Sequence, residues 1–156
     1  MPTIALLTTG HIHTPNFVKR LLARKDIRVA GVYDPNPALA EKYARELSVP
    51  VLASAESALQ DGAIEAVIIS GATAQHDNLA AAAARAGKHV FIEKPLARDT
   101  TEGKRIVDLA QAGGAIVQVG HIERFNPIVR ALVRLELSPR YIETIRISPM
   151  TFRSID

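Results

Sequence analysis

A lysine at the end of a predicted buried strand is the first candidate for chemistry in this chain. Residues 91–96 read Phe-Ile-Glu-Lys-Pro-Leu, and the apolar run from Lys88 to Ile92 predicts a strand that ends just before Glu93 and Lys94. Ligands of α/β sheets bind just beyond the carboxyl ends of the strands. A lysine amine also changes its protonation readily when it loses solvent, which suits proton handling beside a cofactor. The context therefore favours a functional site, although an isolated Glu-Lys-Pro can also be a solvated loop.

The first predicted strand, Ile4–Thr8, runs into a turn of the kind that holds phosphate. A dinucleotide-binding turn needs backbone N–H groups that face a pyrophosphate at a helix N-terminus. Gly10 stands where the central glycine of G-x-G-x-x-G allows close approach of the backbone. Thr8 and His13 replace the outer two glycines. The motif is degraded, and by itself it indicates a phosphate site only weakly.

Asp34 follows the second predicted strand, Val29–Tyr33, and lies about 20–25 residues beyond the turn, where an acid usually binds the hydroxyls of the adenosine ribose. Alternatively, Asp34 merely begins the turn Asp34–Pro37. The spacing favours ribose binding, and the two interpretations stay open at this point.

Two histidines in the first turn invite comparison with a metal site. His11 and His13 are close in sequence, but they lie on a turn and no third ligand is expected nearby. Contact with phosphate, or simple exposure, is the favoured interpretation, and no metal site is predicted.

Polar residues also follow two later strands. Ser70 begins a loop that passes Thr73 and leads to His76 at the start of a helix, and this loop is placed to line the nicotinamide ribose. His121 ends the run Ile116–Val119 and faces the same edge. Ligand contact and a structural role are both open for His121, whereas His89, which begins a strand, is predicted to be structural.

Strand-like apolar runs alternate with amphipathic helices along the first 120 residues. The strand candidates are short and nearly continuous in apolar character, as expected for strands buried on both faces. They are Ile4–Thr8, Val29–Tyr33, Ala66–Ser70, His89–Ile92 and Ile116–Val119, with a shorter one at Val49–Leu52. Helix starts are predicted at Thr14-Pro15, at Asn36-Pro37 and at Asp99, where Glu102 would complete a capping box. The pattern predicts an α/β fold with a Rossmann-type parallel sheet and helices on both faces.

The pattern changes after Gly120. Pro127–Leu137 predicts a helix, and Tyr141–Ser148 alternates like a strand of an antiparallel sheet. We therefore predict a dinucleotide-binding domain at residues 1–120. Residues 121–156 are predicted to form a linking helix and the first strand of an incomplete α+β domain. A lone strand has unpaired backbone groups, so self-association through it, giving a homo-oligomer, is also predicted.

Composition excludes several classes of function. The 156 residues are 47% hydrophobic and 22% charged, which suffices for one buried core. The absence of cysteine excludes disulfides and thiolate chemistry and agrees with a cytoplasmic location. No signal peptide or membrane span is expected. The net charge of +3 is dispersed and tryptophan is absent, so nucleic acid is not a predicted partner.

Taken together, these residues resemble a known family. Gly10 after an N-terminal strand, Asp34, Glu93-Lys94-Pro95 and Gly120-His121 are similar to the glucose–fructose oxidoreductase / inositol dehydrogenase (Gfo/Idh/MocA) family. The resemblance covers nearly the whole chain but only the N-terminal half of the family. Residues 120–127, Gly-His-Ile-Glu-Arg-Phe-Asn-Pro, resemble the branch that oxidises the 3-hydroxyl of UDP-N-acetylglucosamine and related nucleotide sugars.

The resemblance implies an NAD-dependent oxidoreductase, or its cofactor-binding half, acting on a sugar or nucleotide sugar. Lys94 would bond the reacting hydroxyl and act as a catalytic residue with His121, and Arg124 would border the substrate with both. The cofactor-binding residues would be Thr8, Gly10, His11, Ile12, Asp34, Ser70, Thr73, His76, Glu93 and Lys94. NAD is predicted over NADP, because Asp34 would repel the 2′-phosphate.

The family's second domain supplies an aspartate and a histidine that complete the catalytic set. The chain stops at Asp156, before their expected positions, so catalysis by these residues alone is not expected. The competing interpretation is a non-catalytic dinucleotide-binding module that senses NAD or regulates a partner.

Overall fold

A parallel sheet of five strands forms the centre of the fold. The structure, a computed structural model, describes residues 1–145 and 147. The strands are β1 (Thr3–Leu7), β2 (Arg28–Tyr33), β3 (Ala66–Ile69), β4 (His89–Ile92) and β5 (Val117–Val119). Their order is β2-β1-β3-β4-β5, and each neighbouring pair is parallel. The predicted short strand at Val49–Leu52 is reduced to a single bridge between Val32 and Val51.

Five helices connect these strands. They are α1 (Thr14–Leu22), α2 (Pro37–Leu47), α3 (Ala55–Gln60), α4 (Thr73–Arg85) and α5 (Thr100–Gly113). Two predicted N-caps are confirmed, because side-chain oxygens of Asn36 and Asp99 accept hydrogen bonds from the N–H groups of Ala38 and Glu102. The carboxylate of Glu102 accepts the N–H of Arg98 instead of that of Asp99, so the predicted capping box is only half formed. Within the described part of the chain, no helix has the length and hydropathy for a membrane crossing.

The N-cap of the first helix is His13 and not the predicted Thr14. His13 is the N-cap of α1 and makes no side-chain cap bond, while Thr14 is the first helical residue. The hydroxyl of Thr14 lies 2.8 Å from that of Ser70. Because this hydroxyl is bonded to the neighbouring strand end, it is not used to cap its own helix.

Hydrophobic cores lie on both faces of the sheet. Successive strand residues point to opposite faces. In β1, Leu6 belongs to the cluster that includes Val18 of α1 and Tyr43 of α2. Ala5 and Leu7 belong to the cluster formed with α3, α4 and α5. This arrangement explains the continuous apolar character of β1 and confirms the predicted α/β fold with helices on both faces.

The second unit begins at His121, after the unit Met1–Gly120. It contains a 3-10 helix, Ile122–Phe125, and α6, Pro127–Arg134, which ends before the predicted Leu137. The predicted strand Tyr141–Ser148 is wrong for its described part, because residues 141–145 and 147 have no regular secondary structure. The alternating sequence specifies two faces but supplies no partner for hydrogen bonding. Arg146 and Ser148 lie outside the described residues, and self-association through this segment stays a prediction.

Candidate functional site

The register of the sheet aligns the ends of its strands. Tyr33, Leu7, Ile69, Ile92 and Val119 are successive partners across the five strands. The next residue of each strand therefore lies along one edge: Asp34, Thr8, Ser70, Glu93 and Gly120. The chain passes from β1 to β2 on one side and later to β3 on the other side of β1. Such a switch point opens a crevice at the carboxyl ends of β1 and β3, which is where open α/β sheets bind ligands.

Thr8 has a glycine-like backbone. Its φ of 63° lies in the left-handed region, which a β-branched residue rarely adopts. The residue is buried, its N–H donates to the carbonyl of Tyr33 at 2.7 Å, and its hydroxyl donates to the carbonyl of Leu7 at 2.5 Å. The degraded glycine motif therefore keeps the backbone turn that its first position requires, although the side chain has changed.

Gly71 makes the space for this threonine, and the sequence interpretation missed it. A Cβ atom at Gly71 would lie 2.7 Å from Cβ of Thr8 and 2.6 Å from its hydroxyl oxygen. Contacts this short do not occur without a shift of the neighbour. A glycine directly after Ser70 at the end of β3 was the only available signal.

Replacing Gly71 with alanine is expected to lower the free energy of unfolding by about 1–3 kcal/mol, because the new methyl group overlaps both the buried Thr8 and Oε1 of Gln75, which accepts the N–H of Ala72. Urea denaturation measures this change. Gly62→Ala is the matched control, since a Cβ atom there meets nothing within 4 Å. Equal stability of the two variants would show that Thr8 does not depend on the space at Gly71.

Gly10 borders open space in the same turn. A Cβ atom at Gly10 would meet no atom within 4 Å. The N–H of His11 donates to the carbonyl of Ser70 at 2.9 Å and is not available to a phosphate. Within residues 1–145 and 147, the backbone N–H groups of Gly10 and Ile12 donate to no protein acceptor. These two groups are the ones that the turn leaves for an anion.

Asp34 links the end of β2 to the turn. Its side chain is buried, with the residue 8% exposed. One carboxylate oxygen accepts the N–H of Thr9 at 2.6 Å and the hydroxyl of Thr9 at 2.8 Å. The other accepts the N–H of Asn36 at 2.8 Å. Since each oxygen has two acceptor positions, one position remains on the second oxygen, and ribose binding by Asp34 stays a prediction.

Ser70 and His76 connect loops within the site. The hydroxyl of Ser70 faces Thr14, and both residues are fully buried. Thr73 is the first residue of α4. The ring nitrogens of His76 lie 2.8 Å from the carbonyl oxygen of Pro95 and 3.3 Å from that of Gly71. His76 therefore joins the loop after β4 to the loop after β3. The predicted contacts of Ser70, Thr73 and His76 with the nicotinamide ribose stay predictions.

Glu93 reaches the first turn. It is 1% exposed, its Oε1 lies 3.0 Å from Nδ1 of His13, and its Oε2 accepts the N–H of Lys94 at 3.0 Å. His11, His13 and Glu93 place one ligand-type atom each within 4.8 Å of one another. The expectation that no third ligand lies near the two histidines is thus wrong, because the sheet brings a carboxylate from 80 residues away. The contact between His13 and Glu93 was also missed.

Lys94 extends from this anchored segment into solvent. Its side chain is exposed, and its amine has no partner among the described residues. The segment that follows is fixed by Arg98, whose N–H and guanidinium donate to Glu102. These hydrogen bonds lower the pKa of the Glu102 carboxyl. The amine of Lys94 therefore remains available to a ligand at the end of β4.

His121 and Arg124 belong to the second unit. His121 precedes the 3-10 helix and Arg124 lies within it, and both are exposed. The N–H of Arg124 donates to the carbonyl of His121 at 3.1 Å. Their roles in substrate binding, and that of His121 in catalysis, stay predictions.

Two curated proteins are similar to this chain in sequence. UDP-N-acetylglucosamine 3-dehydrogenase of Acidithiobacillus ferrooxidans is 35% identical over 83% of this chain and 41% of its own length. The scyllo-inositol 2-dehydrogenase (NAD(+)) of Bacillus subtilis is 35% identical over 76% of this chain and 34% of its own. The chain thus spans about two fifths or less of these curated relatives.

Solved structures share the fold. The structure of the A. ferrooxidans enzyme superposes with a TM-score of 0.76 at 29% identity, over 86% of this chain and 43% of that one. Biliverdin reductase from Synechocystis, in complex with biliverdin and NADP+, gives a TM-score of 0.75 at 26% identity, over 85% of this chain and 42% of that one.

The family model described as "Oxidoreductase family, NAD-binding Rossmann fold" matches residues 3–121. That range contains the whole parallel sheet, the degraded glycine turn and the loop of Lys94. The chain therefore belongs to the Gfo/Idh/MocA oxidoreductase family and carries its NAD-binding Rossmann domain.

Proposed function

We propose that the chain binds NAD in the crevice between β1 and β3. It would be an oxidoreductase, or the cofactor-binding half of one, that transfers hydride between nicotinamide and a hydroxyl-bearing carbon of a sugar or nucleotide sugar. The exposed amine of Lys94 at the end of β4, which has no partner among residues 1–145 and 147, carries this proposal. A reacting hydroxyl needs a group that handles its proton, and Lys94 is the residue that the family resemblance assigns to this role.

The residues of the turn would hold the cofactor. The N–H groups of Gly10 and Ile12 would donate to the diphosphate at the N-terminus of α1. Asp34 would accept from a ribose hydroxyl at its remaining acceptor position. NAD, when bound, supplies the hydride acceptor or donor.

Lys94 would hydrogen-bond the reacting hydroxyl and assist removal of its proton. For His121 and Arg124 of the second unit, the family resemblance alone supports a role in binding the sugar. Support for a nucleotide sugar comes from the relative named for UDP-N-acetylglucosamine and from the run at residues 120–127. The inositol dehydrogenase relative supports a polyhydroxylated ring more generally.

Titration of the purified chain with NAD, followed by an NADH assay with UDP-N-acetylglucosamine, scyllo-inositol and simple sugars, tests the proposal. We expect the purified chain to bind NAD. We expect turnover with the nucleotide sugar in a protein that also carries the catalytic aspartate and histidine of the family's second domain. The alternative, a non-catalytic module, predicts NAD binding without turnover even when the chain is joined to the remainder of the A. ferrooxidans relative. Absence of NAD binding would contradict both.

A further inference from the structure

Three side chains of the kind that ligate metal ions converge at the first turn. His11 and His13 lie in the turn after β1, and Glu93 lies at the end of β4, 80 residues beyond His13. One ligand atom of each residue lies within 4.8 Å of the other two. The proposed diphosphate contacts use backbone N–H groups of the turn, so they give these three side chains no role.

The carboxylate of Glu93 and the ring of His13 are spaced like two ligands of one ion. Oε1 of Glu93 lies 3.0 Å from Nδ1 of His13. Zinc binds nitrogen and oxygen ligands at about 2.0–2.2 Å, which places neighbouring ligand atoms about 3.0–3.4 Å apart. The ring of His11 packs edge-on against that of His13, with 4.6 Å between their centroids. A small movement of His11 would therefore complete a set of three ligands.

Two of the three residues are held within the protein. Glu93 is 1% exposed and His11 is 8% exposed, so neither swings freely in solvent. Oε2 of Glu93 accepts the N–H of Lys94, and such a bond orients a ligating carboxylate. The side chain of His13 is 33% exposed, which gives an ion a path from solvent.

An ion at this cluster would compete with two hydrogen bonds. One joins His13 to Glu93, and the other is donated by the N–H of His13 to Nδ1 of His11 at 3.2 Å. Single hydrogen bonds add little net stability, whereas zinc bound by histidine and other side chains contributes far more. The exchange is therefore favourable for a metal that prefers imidazole nitrogen.

The donor atoms select the class of metal. Two imidazole nitrogens and one carboxylate oxygen suit Zn²⁺ and neighbouring divalent transition metals. Mg²⁺ and Ca²⁺ prefer oxygen ligands throughout. We propose that His11, His13 and Glu93 form a binding site for a divalent transition-metal ion such as Zn²⁺, with a remaining coordination position for water. The proposal goes beyond NAD binding and does not depend on it.

Calorimetric titration of the untagged, EDTA-treated chain with Zn²⁺, in the absence of NAD, tests the proposal. We expect one ion to bind per chain. Co²⁺, which replaces Zn²⁺ in many sites and is coloured, should develop visible absorption bands on binding. Mg²⁺ at the same concentration should not bind, because it disfavours nitrogen ligands.

Substitutions assign the ion to the cluster. His13→Gln and Glu93→Gln should each weaken Zn²⁺ binding by more than about 100-fold, since loss of an outer partner alone costs about 10–100-fold. His13→Gln retains an N–H donor for the buried carboxylate, so its thermal transition should be unchanged. His89→Gln is the control, because His89 is an exposed histidine at the start of β4 whose ring accepts the N–H of Ile116. Zn²⁺ binding should persist in this control.

The outcomes separate the two proposals. Absence of Zn²⁺ binding to the wild-type chain, or binding that survives in folded His13→Gln, would overturn the metal site. Loss of the ion in His89→Gln would assign it to a surface histidine, and equal affinity for Mg²⁺ would contradict imidazole ligands. Titration of the EDTA-treated chain with NAD is a separate measurement, whose failure would overturn the proposed function and leave the metal site standing.

Discussion

Replacing Lys94 with alanine is expected to lower turnover by about 10²–10⁴-fold, the usual contribution of a positioned acid or base. The amine is exposed and has no partner among the described residues, so its loss removes no contact from the fold. NAD affinity should change by only a few-fold, because the diphosphate and ribose contacts are assigned to the first turn and to Asp34. Steady-state NADH formation and calorimetric titration measure the two quantities separately.

The control for this experiment is Lys104→Ala. Lys104 is an exposed lysine of α5 whose amine pairs with Asp108 at 2.6 Å. If the 156-residue chain gives no turnover, both variants are compared in a chimera with the remainder of the A. ferrooxidans relative. Near-normal turnover of Lys94→Ala would remove Lys94 from the chemistry.

NAD is expected to bind at least about 100-fold more tightly than NADP, because juxtaposed like charges cost several kcal/mol. The carboxylate of Asp34 is buried at the end of β2, and Pro35 and Asn36 offer no cation to a 2′-phosphate. Calorimetric titration of both cofactors measures the ratio. Tighter binding of NADP would contradict the assignment of Asp34.

Asp34→Asn is the informative substitution, because it removes the charge and keeps the shape of the side chain. We expect this variant to lower the preference for NAD over NADP by about tenfold. Asp34→Ala is less clean, since it would leave the buried N–H of Thr9 without an acceptor, at a cost of about 1–3 kcal/mol in stability. Asp26→Asn, at an exposed aspartate paired with Arg24, is the control.

Local pattern was sufficient to predict most of the sheet. The strand His89–Ile92 was predicted with its observed bounds, and the others within one residue at each end, because strands buried on both faces are apolar throughout. The strand predicted at Tyr141–Ser148 is wrong for residues 141–145 and 147, because alternation describes the two faces of a strand, whereas a strand also needs a partner. The prediction of Thr14 as the N-cap of α1 was wrong, because the hydroxyl of Thr14 is bonded to Ser70 at the end of a neighbouring strand.

The sequence predicted the candidate site only as a set of residues that follow strands at one edge of the sheet. Glu93, Lys94 and Asp34 were found because each follows a predicted strand. The contacts between them and the first turn depend on register, which a single sequence does not specify. Thus the approach of Glu93 to His13 and the packing of Thr8 against Gly71 emerged only from the structure.

The most direct test of the account is NAD binding to the wild-type chain and to Gly10→Val. The open space at Gly10 predicts that the valine variant keeps its fold, shown by an unchanged thermal transition, but places its side chain where the diphosphate should lie. We predict one NAD bound per wild-type chain and no measurable binding to the folded variant. Equal affinity of the two proteins would contradict a cofactor site at this turn.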